Sequence, residues 1–346
     1  MTYGHTSPMT QLNCPYNSNF DVQSDFVTIH AYLSASEVPD ELKPYLSLYM
    51  ASFFSLPVES KLLGRTLNHE EVVNGLDDET VNYDSNLGLD GFFSQMLRIS
   101  IKVETTKYDR AIQWLNDLMY RSIFDKERLA VTAAKIQQSL PESKRDGNTV
   151  LGALSDSLLF SESSVSRAGG VLEQIDFNPR LVEDLKSDPE RIASILEQVR
   201  QCLVSPSAMR FAVIGNVLSL PQPKAPWAKT FGKSSTSFVQ DVKLQPVPFI
   251  SNVLSQTGRE PSRKAVVLTL PSIESAYTRI TTRGIQGFDH PAYPTLRVTL
   301  EVLNATEGFL WRFIRGAGLA YGAYAGLDVE AGFLTFSTYR VCTSSS

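Results

Sequence analysis

Several residue types that would narrow the function are scarce in this sequence of 346 residues. The three cysteines, Cys14, Cys202 and Cys342, are too widely spaced for a disulfide framework or a paired zinc-binding motif. A net charge of -5 provides no general attraction to nucleic acid or acidic lipid. These shortages favour a protein of a reducing compartment that has neither nucleic acid nor a membrane among its partners.

Long apolar runs are missing as well. No stretch approaches the roughly 20 residues that a membrane helix needs, so we expect no membrane-spanning segment. The first twenty residues lack a charged start followed by an apolar core, which argues against a secretory signal. They also lack arginine, which argues against a mitochondrial presequence.

What the sequence does contain is typical of a globular protein, since 42% of its residues are hydrophobic and 20% are charged. Apolar and β-rich stretches predict strands at 26–33, 92–104 and 209–217, with several helices between them. The stretch "KYDRAIQWLNDLMYRS" at 107–122 is a predicted helix that places Tyr108, Ile112, Leu115 and Met119 on one stripe. The pattern predicts an α+β fold with helices packed on one face of a sheet.

A change of composition predicts two tandem domains, of which the second is short and incomplete. In the second domain, "KAVVLTL" and "SAYTRITT" are predicted strands, and "LAYGAYAGL" and "GFLTFSTYR" a hairpin. We expect an irregular lead-in (1–24), a first domain (25–217), a linker rich in Pro, Ser and Lys (218–262), a second domain (263–340) and a tail (341–346).

The stretch "IRGAGLAYGAY" at 314–324 combines glycines with an arginine and two tyrosines. A dinucleotide-binding loop is rejected, because Tyr321 stands where the third glycine belongs and the predicted helix precedes the strand. The motif instead predicts a helix end, with Arg315 in the last turn and Gly316 and Gly318 in left-handed or tight conformations.

Two functions are open for the side chains of this motif. A guanidinium and a phenol can both donate hydrogen bonds to a peptide carbonyl and steady an oxyanion. Alternatively, Arg315 is an ordinary surface residue and Tyr321 an ordinary core residue. The nearby aromatic side chains are expected to be core as well: Phe309, Trp311 and Phe313.

The segment 301–340, "EVLNATEGFLWRFIRGAGLAYGAYAGLDVEAGFLTFSTYR", resembles the C-terminal half of pitrilysin-type (insulinase-superfamily) zinc metallopeptidases. The similarity is greatest to the branch of presequence proteases and their fungal, cytosolic-type relatives. Other stretches also resemble the family and occur in the same order along the chain, among them "FVTIHAYL", "MRFAVIGNV" and "GIQGFDHPAYP". The resemblance therefore runs from Phe26 to Arg340. It implies LuxS/MPP-like α/β-roll domains, here the third and the beginning of the fourth.

The resemblance also implies roles for the motif. In that family an arginine and a tyrosine six residues later reach the substrate carbonyl near a zinc ion that the other half of the enzyme holds. Arg315 and Tyr321 have this spacing, and Gly316 and Gly318 would allow the substrate backbone to approach closely.

The family's zinc motif, H-x-x-E-H, is absent. The four histidines are His5, His30, His69 and His290, and no two of them are four residues apart. His69, beside Glu70 and Glu71, is interpreted as a solvated residue at a turn or helix start. We therefore expect no catalytic residue, metal or other cofactor in this chain, with zinc only in the other half of the enzyme.

Two hypotheses for the function follow from the resemblance. In the first, the chain is the half of a metalloendopeptidase without zinc, forming chamber wall and substrate clamp and inactive alone. Its partners would be peptide substrates and a zinc-bearing N-terminal half. In the second, it is a binding or assembly subunit without catalysis, so whether it takes part in catalysis stays open. We expect a cytoplasmic location, with the mitochondrial matrix as the alternative.

Overall fold

The computed structural model describes residues 16–231, 243–260, 262 and 265–341. The strands are β1 (Tyr16–Asp21), β2 (Phe26–Ser34), β3 (Val58–Ser60), β4 (Arg65–Leu67), β5 (Asn82–Leu89), β6 (Phe92–Glu104), β7 (Met209–Gly215), β8 (Ala276–Arg283), β9 (Ala320–Asp328) and β10 (Phe333–Val341).

The helices are α1 (Leu46–Ser52), α2 (His69–Glu79), α3 (Tyr108–Arg121), α4 (Lys126–Arg145), α5 (Gly147–Leu159), α6 (Val165–Gly169), α7 (Val171–Ser187), α8 (Pro189–Leu203), α9 (Ala225–Phe231), α10 (Gln256–Arg259) and α11 (Tyr293–Asn304). Short 3-10 segments lie at Asp40–Tyr45, Thr105–Lys107, Val217–Ser219 and Ile250–Val253, and a π-helical turn at Trp311–Arg315. This content confirms the α+β class. None of the helices described has the length and apolar character to cross a bilayer.

The described chain forms two compact units that interleave along the sequence. Unit 1 takes its residues from Met1–Gly91, Gln95–Ala134 and Arg180–Pro248. Unit 2 takes its residues from Phe92–Ser94, Lys135–Pro179 and Phe249–Ser346. The tandem domain boundaries expected from composition stay a prediction.

Unit 1 is organised by a five-stranded mixed sheet in the order β1-β7-β2-β6-β5. The central strand β2 runs antiparallel to both β6 and β7. Its Val27, Ile29 and Leu33 are fully buried, as periodicity predicted for a core strand. Helix α3 lies against β2 and buries the predicted stripe of Tyr108, Ile112, Leu115 and Met119.

Strand β1 lies in the stretch expected to be an irregular lead-in. It pairs in parallel with β7, with Asn19 opposite Val213. The two strands are far apart in the sequence, so their pairing leaves no local pattern near β1. For that reason the composition of residues 16–21 did not indicate a strand. Residues 1–15 lie outside the described part of the chain.

The expected linker contributes to the core of unit 1. Within it, α9 buries Trp227 and Phe231, which are 2% and 0% exposed. The two rings stack at 5.4 Å, and Trp227 meets Phe211 of β7 at 4.8 Å. The indole N–H donates a hydrogen bond of 2.7 Å to the hydroxyl of Tyr108. Residues 225–231 of the expected linker are therefore packed into unit 1 by two aromatic side chains, despite the surrounding Pro and Lys residues.

Unit 2 is built on a three-stranded antiparallel sheet in the order β8-β10-β9. Strands β9 and β10 form the predicted hairpin, with Phe333 opposite Asp328 and Val341 opposite Ala320. The sequence of strand, helix and hairpin in β8, α11, β9 and β10 repeats that of β2, α1 to α2, β5 and β6. The strand order β8-β10-β9 likewise repeats β2-β6-β5, so the same supersecondary arrangement occurs twice in the described chain.

The core of unit 2 gathers buried side chains from the residue after α5, the 250–254 segment and the hairpin: Phe160, Ile250, Leu254, Ala331 and Phe333. The turn before β10 is held by Asp328, whose carboxylate accepts the backbone N–H of Ala331 at 2.8 Å. Glu330 in the same turn is 3% exposed. Its two oxygens accept hydrogen bonds from the backbone N–H groups of Phe93 and Ile250 at 2.5 and 2.6 Å.

The strand expected at "KAVVLTL" is not present at 265–270. Val266 and Val267 are 53% and 83% exposed, and no strand of the described chain pairs with them. β-forming residues need a neighbouring strand edge to form a ladder, so the local preference alone did not decide the structure.

The carboxylate of Asp156 on α5 makes unit 2 sensitive to pH. Burial raises the pKa of Asp156 to about 6, although Arg279 and a hydrogen bond from Ser166 favour the ionised form and Asp328 adds repulsion. A raised folded-state pKa means that the stabilisation is complete below the unfolded value of about 4 and is lost as the pH rises through about 6.

We expect Asp156→Asn to raise the free energy of unfolding of unit 2 by about 2–3 kcal/mol at pH 7.5, with little change at pH 4, because the amide avoids burying a charge. Urea denaturation at both pH values, with hydrogen exchange of the β8–β10 amides as the probe for this unit, measures the difference. A variant that is less stable than the original at pH 7.5 would show that Ser166 and Arg279 outweigh the burial.

Candidate substrate-binding site

The glycine-rich motif forms the end of a helical turn followed by an edge strand. The N–H of Gly316 donates to the carbonyl of Trp311 at 2.8 Å, which closes the π-helical turn. Leu319 then donates to the carbonyl of Ile314 and Gly318 to that of Arg315, both at 3.0 Å. This pair of hydrogen bonds is a Schellman motif, the arrangement that ends many helices.

Gly316 and Gly318 meet different structural requirements of the turn. Gly318 has φ +72°, in the left-handed region that glycine adopts without steric cost. Gly316 keeps a right-handed conformation, with φ -63°, so the expectation of a left-handed residue holds for Gly318 alone. A Cβ atom at Gly316 would lie 2.6 Å from the carbonyl oxygen of Arg312, and the tight turn excludes it.

The structure brings Arg315 and Tyr321 together. The guanidinium carbon of Arg315 lies 4.5 Å from the centre of the Tyr321 ring and 6.0 Å from that of Trp311. Guanidinium–ring contacts of this kind at exposed sites contribute roughly 0.5–1 kcal/mol. Within the described chain, Arg315 forms no ion pair. The Arg315 side chain is exposed and lies against the Tyr321 ring.

Tyr321 is not the core residue of the alternative interpretation, because 56% of its surface is exposed. It lies on β9, at the edge of the sheet of unit 2. Its ring meets Tyr339 of β10 edge-on at 6.0 Å, and Tyr339 meets Tyr277 of β8 at 5.3 Å. These three residues form a tyrosine row across all three strands of the sheet.

A second arginine, Arg340, joins the tyrosine row, and the sequence analysis missed it. Its guanidinium carbon lies 5.3 Å from the centre of the Tyr339 ring. A hydrogen bond with the hydroxyl of Tyr277 raises the pKa of Arg340, which keeps it cationic. The only sequence signal was its position directly after Tyr339 in "STYR", which is too common a pattern to have singled it out.

The aromatic side chains before the motif are exposed, which corrects their assignment to the core. Phe309, Trp311 and Phe313 are 60%, 37% and 70% exposed. Leu319, within the motif, is 59% exposed. Their apolar character favoured the core, but no described element covers this side of the turn. The result is an apolar rim beside Arg315 and Tyr321.

The histidines do not assemble a metal site in the described residues. His69 is the first residue of α2, after an N-cap at Asn68 whose side chain accepts the N–H of Glu71, as expected for a helix start. His290 accepts the N–H of Ala292 through Nδ1 at 3.2 Å, in a turn. In the described part of the chain no three His, Cys, Asp or Glu side chains are grouped so as to hold a metal ion. The described residues therefore do not fit a zinc ion.

Comparison with solved structures identifies the fold. The chain superposes on the inactive domain of an M16 peptidase from Pseudomonas fluorescens with a TM-score of 0.63 and 14% identity, covering 94% of this chain and 71% of that one. It superposes on pitrilysin with a TM-score of 0.56 and 16% identity, covering 95% of this chain and 33% of that one. The chain has the pitrilysin-type (M16) peptidase fold. The resemblance inferred from the sequence is confirmed at this level.

Curated proteins with similar sequences match most of this chain. An uncharacterized protein of Schizosaccharomyces pombe is 28% identical over 326 residues, covering 91% of this chain and 31% of that protein. The mitochondrial presequence protease of Xenopus tropicalis is 23% identical over 368 residues, covering 96% and 34%. The chain thus spans about a third of these relatives. No family model matches it.

Proposed function

We propose that this chain is a non-catalytic part of a pitrilysin-type peptidase and that it grips the peptide substrate. The observation that carries the proposal is the contact of Arg315 with Tyr321 at 4.5 Å, on an exposed sheet edge. The fold, the presequence protease among the relatives and the six-residue spacing between the two side chains support it.

The chain's own groups perform binding and orientation in this proposal. A peptide carbonyl would accept hydrogen bonds from the Arg315 guanidinium and the Tyr321 hydroxyl, two donors that the ring contact holds close together. The same donors would stabilise negative charge as it develops on that oxygen. Hydrolysis would require zinc from another part of the enzyme, which would supply the activated water.

A partner protein surface is part of the proposal. The exposed apolar rim formed by Phe309, Phe313 and Leu319 is of the kind that marks protein interaction sites. A zinc-bearing half that covers this rim would also exclude water from Arg315 and Tyr321. We place the complex in the cytoplasm, where the sequence predicts the chain to be.

Reconstitution tests the proposal. The chain is mixed with a separately expressed zinc-bearing half of a pitrilysin-type peptidase, and cleavage of a quenched fluorescent peptide is followed. We expect activity that falls about 10²-fold with Arg315→Ala, because the loss of one charge-stabilising donor has an effect of that order, and less with Tyr321→Phe. Arg312→Ala removes an exposed arginine of the same turn that lies outside the contact, and should leave the rate unchanged.

The alternative function is that of a binding or assembly subunit, which the exposed apolar rim also favours. Tight association with the zinc-bearing half, without any cleavage, would support this alternative. Cleavage at the same rate by the Arg315→Ala and Tyr321→Phe variants would show that the two side chains do not grip the substrate.

A further inference from the structure

Arg340 is held beside the tyrosine row by a β-bulge. Thr338 pairs with Thr278 and Val341 with Ala276, so Tyr339 and Arg340 together stand opposite the single residue Tyr277. Arg340 has φ +51°, a left-handed conformation that costs a non-glycine residue roughly 1–2 kcal/mol. Bulges re-aim side chains, and this one turns a fully exposed arginine back over the rings.

The tyrosine row therefore carries two cations. Arg315 lies on the Tyr321 ring and Arg340 on the Tyr339 ring, and the two rings are 6.0 Å apart. Neither arginine forms an ion pair with a carboxylate of the described chain. Arg340 interacts electrostatically with the carboxylate of Asp146. That carboxylate is the N-cap of α5 and accepts the N–H of Thr149 at 2.6 Å. Two guanidinium groups that form no ion pair in the described chain attract an anion, even with the carboxylate of Asp146 nearby.

The edge of the neighbouring strand β9 is accessible over part of its length. Both backbone groups of Ala325 on β9 are occupied by the side-chain amide of Asn304, at 2.8 and 2.9 Å. Backbone groups of alternate residues point to the same edge, so those of Ala323 and Tyr321 point there too. Hydrogen bonds from other described elements do not reach them. Asn304 thus occupies the edge at Ala325, and Ala323 is buried at 8% exposure, so the accessible part of the edge is at Tyr321, beside the two arginines.

We propose that Arg340, together with Arg315 and the hydroxyl groups of the tyrosine row, forms a carboxylate-binding site that selects peptides carrying an acidic group. The site rests on the proposed function, since its ligand is the peptide that lies along β9. A guanidinium binds a carboxylate through two parallel hydrogen bonds, which a lysine cannot reproduce, so Arg340 acts here as a specificity-determining residue.

Direct binding to the whole chain tests the site. Three labelled decapeptides with blocked amino termini are compared by fluorescence anisotropy: one with a central Glu and an amidated end, the same peptide with Gln, and the Gln peptide with a free carboxyl terminus. We expect the Glu peptide or the free-terminus peptide to bind about tenfold more tightly than the neutral one, as charged hydrogen bonds contribute. The difference in affinity between the carboxylate peptide and the neutral peptide should be smaller at 300 mM salt than at 50 mM salt, because salt screens interactions between exposed charges.

Substitutions distinguish the site from general positive charge. Arg340→Gln should reduce the preference for the carboxylate peptide to less than about twofold, Arg340→Lys should retain only part of it, and Arg312→Gln should retain all of it. Circular dichroism of each variant checks the fold. Which of the two carboxylate peptides is preferred tells whether a side chain or a chain end is bound.

Equal affinity for all three peptides, a preference that survives Arg340→Gln, or no binding of any peptide would each overturn the carboxylate site. The cleavage assay decides the proposed function separately. Binding of the neutral peptide that depends on Arg315 but shows no carboxylate preference would remove this inference and leave the proposed function standing.

Discussion

Replacing Trp227 with alanine is expected to lower the free energy of unfolding of unit 1 by about 3–5 kcal/mol, the usual range for removal of a large buried aromatic side chain. The indole is 2% exposed and packs on Phe211 and Phe231 at 4.8 and 5.4 Å. Its removal leaves a cavity and deprives the Tyr108 hydroxyl of a hydrogen-bond donor. Because a typical domain is stable by only about 5–15 kcal/mol, this loss would leave unit 1 close to unfolding.

Hydrogen exchange of the β7 amides during urea denaturation measures this effect in unit 1, independently of unit 2. The control is Leu218→Ala, in the same expected linker, where the side chain is 77% exposed and a change within about 0.5 kcal/mol is expected. If both variants have the stability of the original protein, α9 is not part of the core and the linker interpretation of 225–231 is right after all.

Glu330→Ala is expected to destabilise unit 2 by about 3 kcal/mol, since two buried backbone N–H groups lose their acceptor. One of them belongs to Phe93, whose φ of +57° is strained for an aromatic residue. The Phe93 ring stacks on Phe288 at 5.4 Å. The carboxylate and this ring contact together hold the strained residue in place, so the substitution should also release the segment 92–94.

Glu330→Gln refines this prediction. Each carboxylate oxygen accepts a different N–H, from Phe93 or Ile250. An amide would place its own N–H₂ against one of these donors, so glutamine should recover less than half of the loss. Burial raises the pKa of Glu330, although the hydrogen bonds from Phe93 and Ile250 favour the charged form. Glutamine carries no charge, so it avoids the free-energy cost of burying one, and this accounts for the part of the stability that it recovers.

Urea denaturation followed by hydrogen exchange of the β9 and β10 amides measures both Glu330 variants. Glu274→Ala, at an exposed glutamate of the same unit, serves as the control and should change stability by less than about 0.5 kcal/mol. Full stability of Glu330→Ala would mean that water replaces the carboxylate at both N–H groups, and that the burial of Glu330 serves no structural purpose.

Elements with a strong local pattern could be predicted. The helix at Tyr108–Arg121 shows its stripe at helical spacing, and the hairpin of β9 and β10 has alternating segments around a short polar turn. Gly318 at the end of the π-helical turn also follows from local chemistry. The spacing of Arg315 and Tyr321 was enough to bring the two residues together, because the intervening turn is short.

Features that depend on distant partners could not be predicted. Strand β1 exists because β7 offers it an edge, and α9 because Phe211 receives Trp227. Residues 265–270 have the composition of a strand and no partner in the described chain. Phe309 and Phe313 have the composition of a core and remain exposed. In each case burial, which local sequence does not specify, made the decision.

The amino-acid sequence determined the α+β class, the principal helices and strands, and the presence of a guanidinium and a phenol six residues apart without the family's zinc motif. Tertiary structure decided that Tyr321 is exposed, that Tyr277 and Tyr339 extend it into a row, and that a bulge brings Arg340 onto that row. The reason is physical: periodicity records which face of an element is apolar, whereas strand pairing and register decide which side chains of different strands meet.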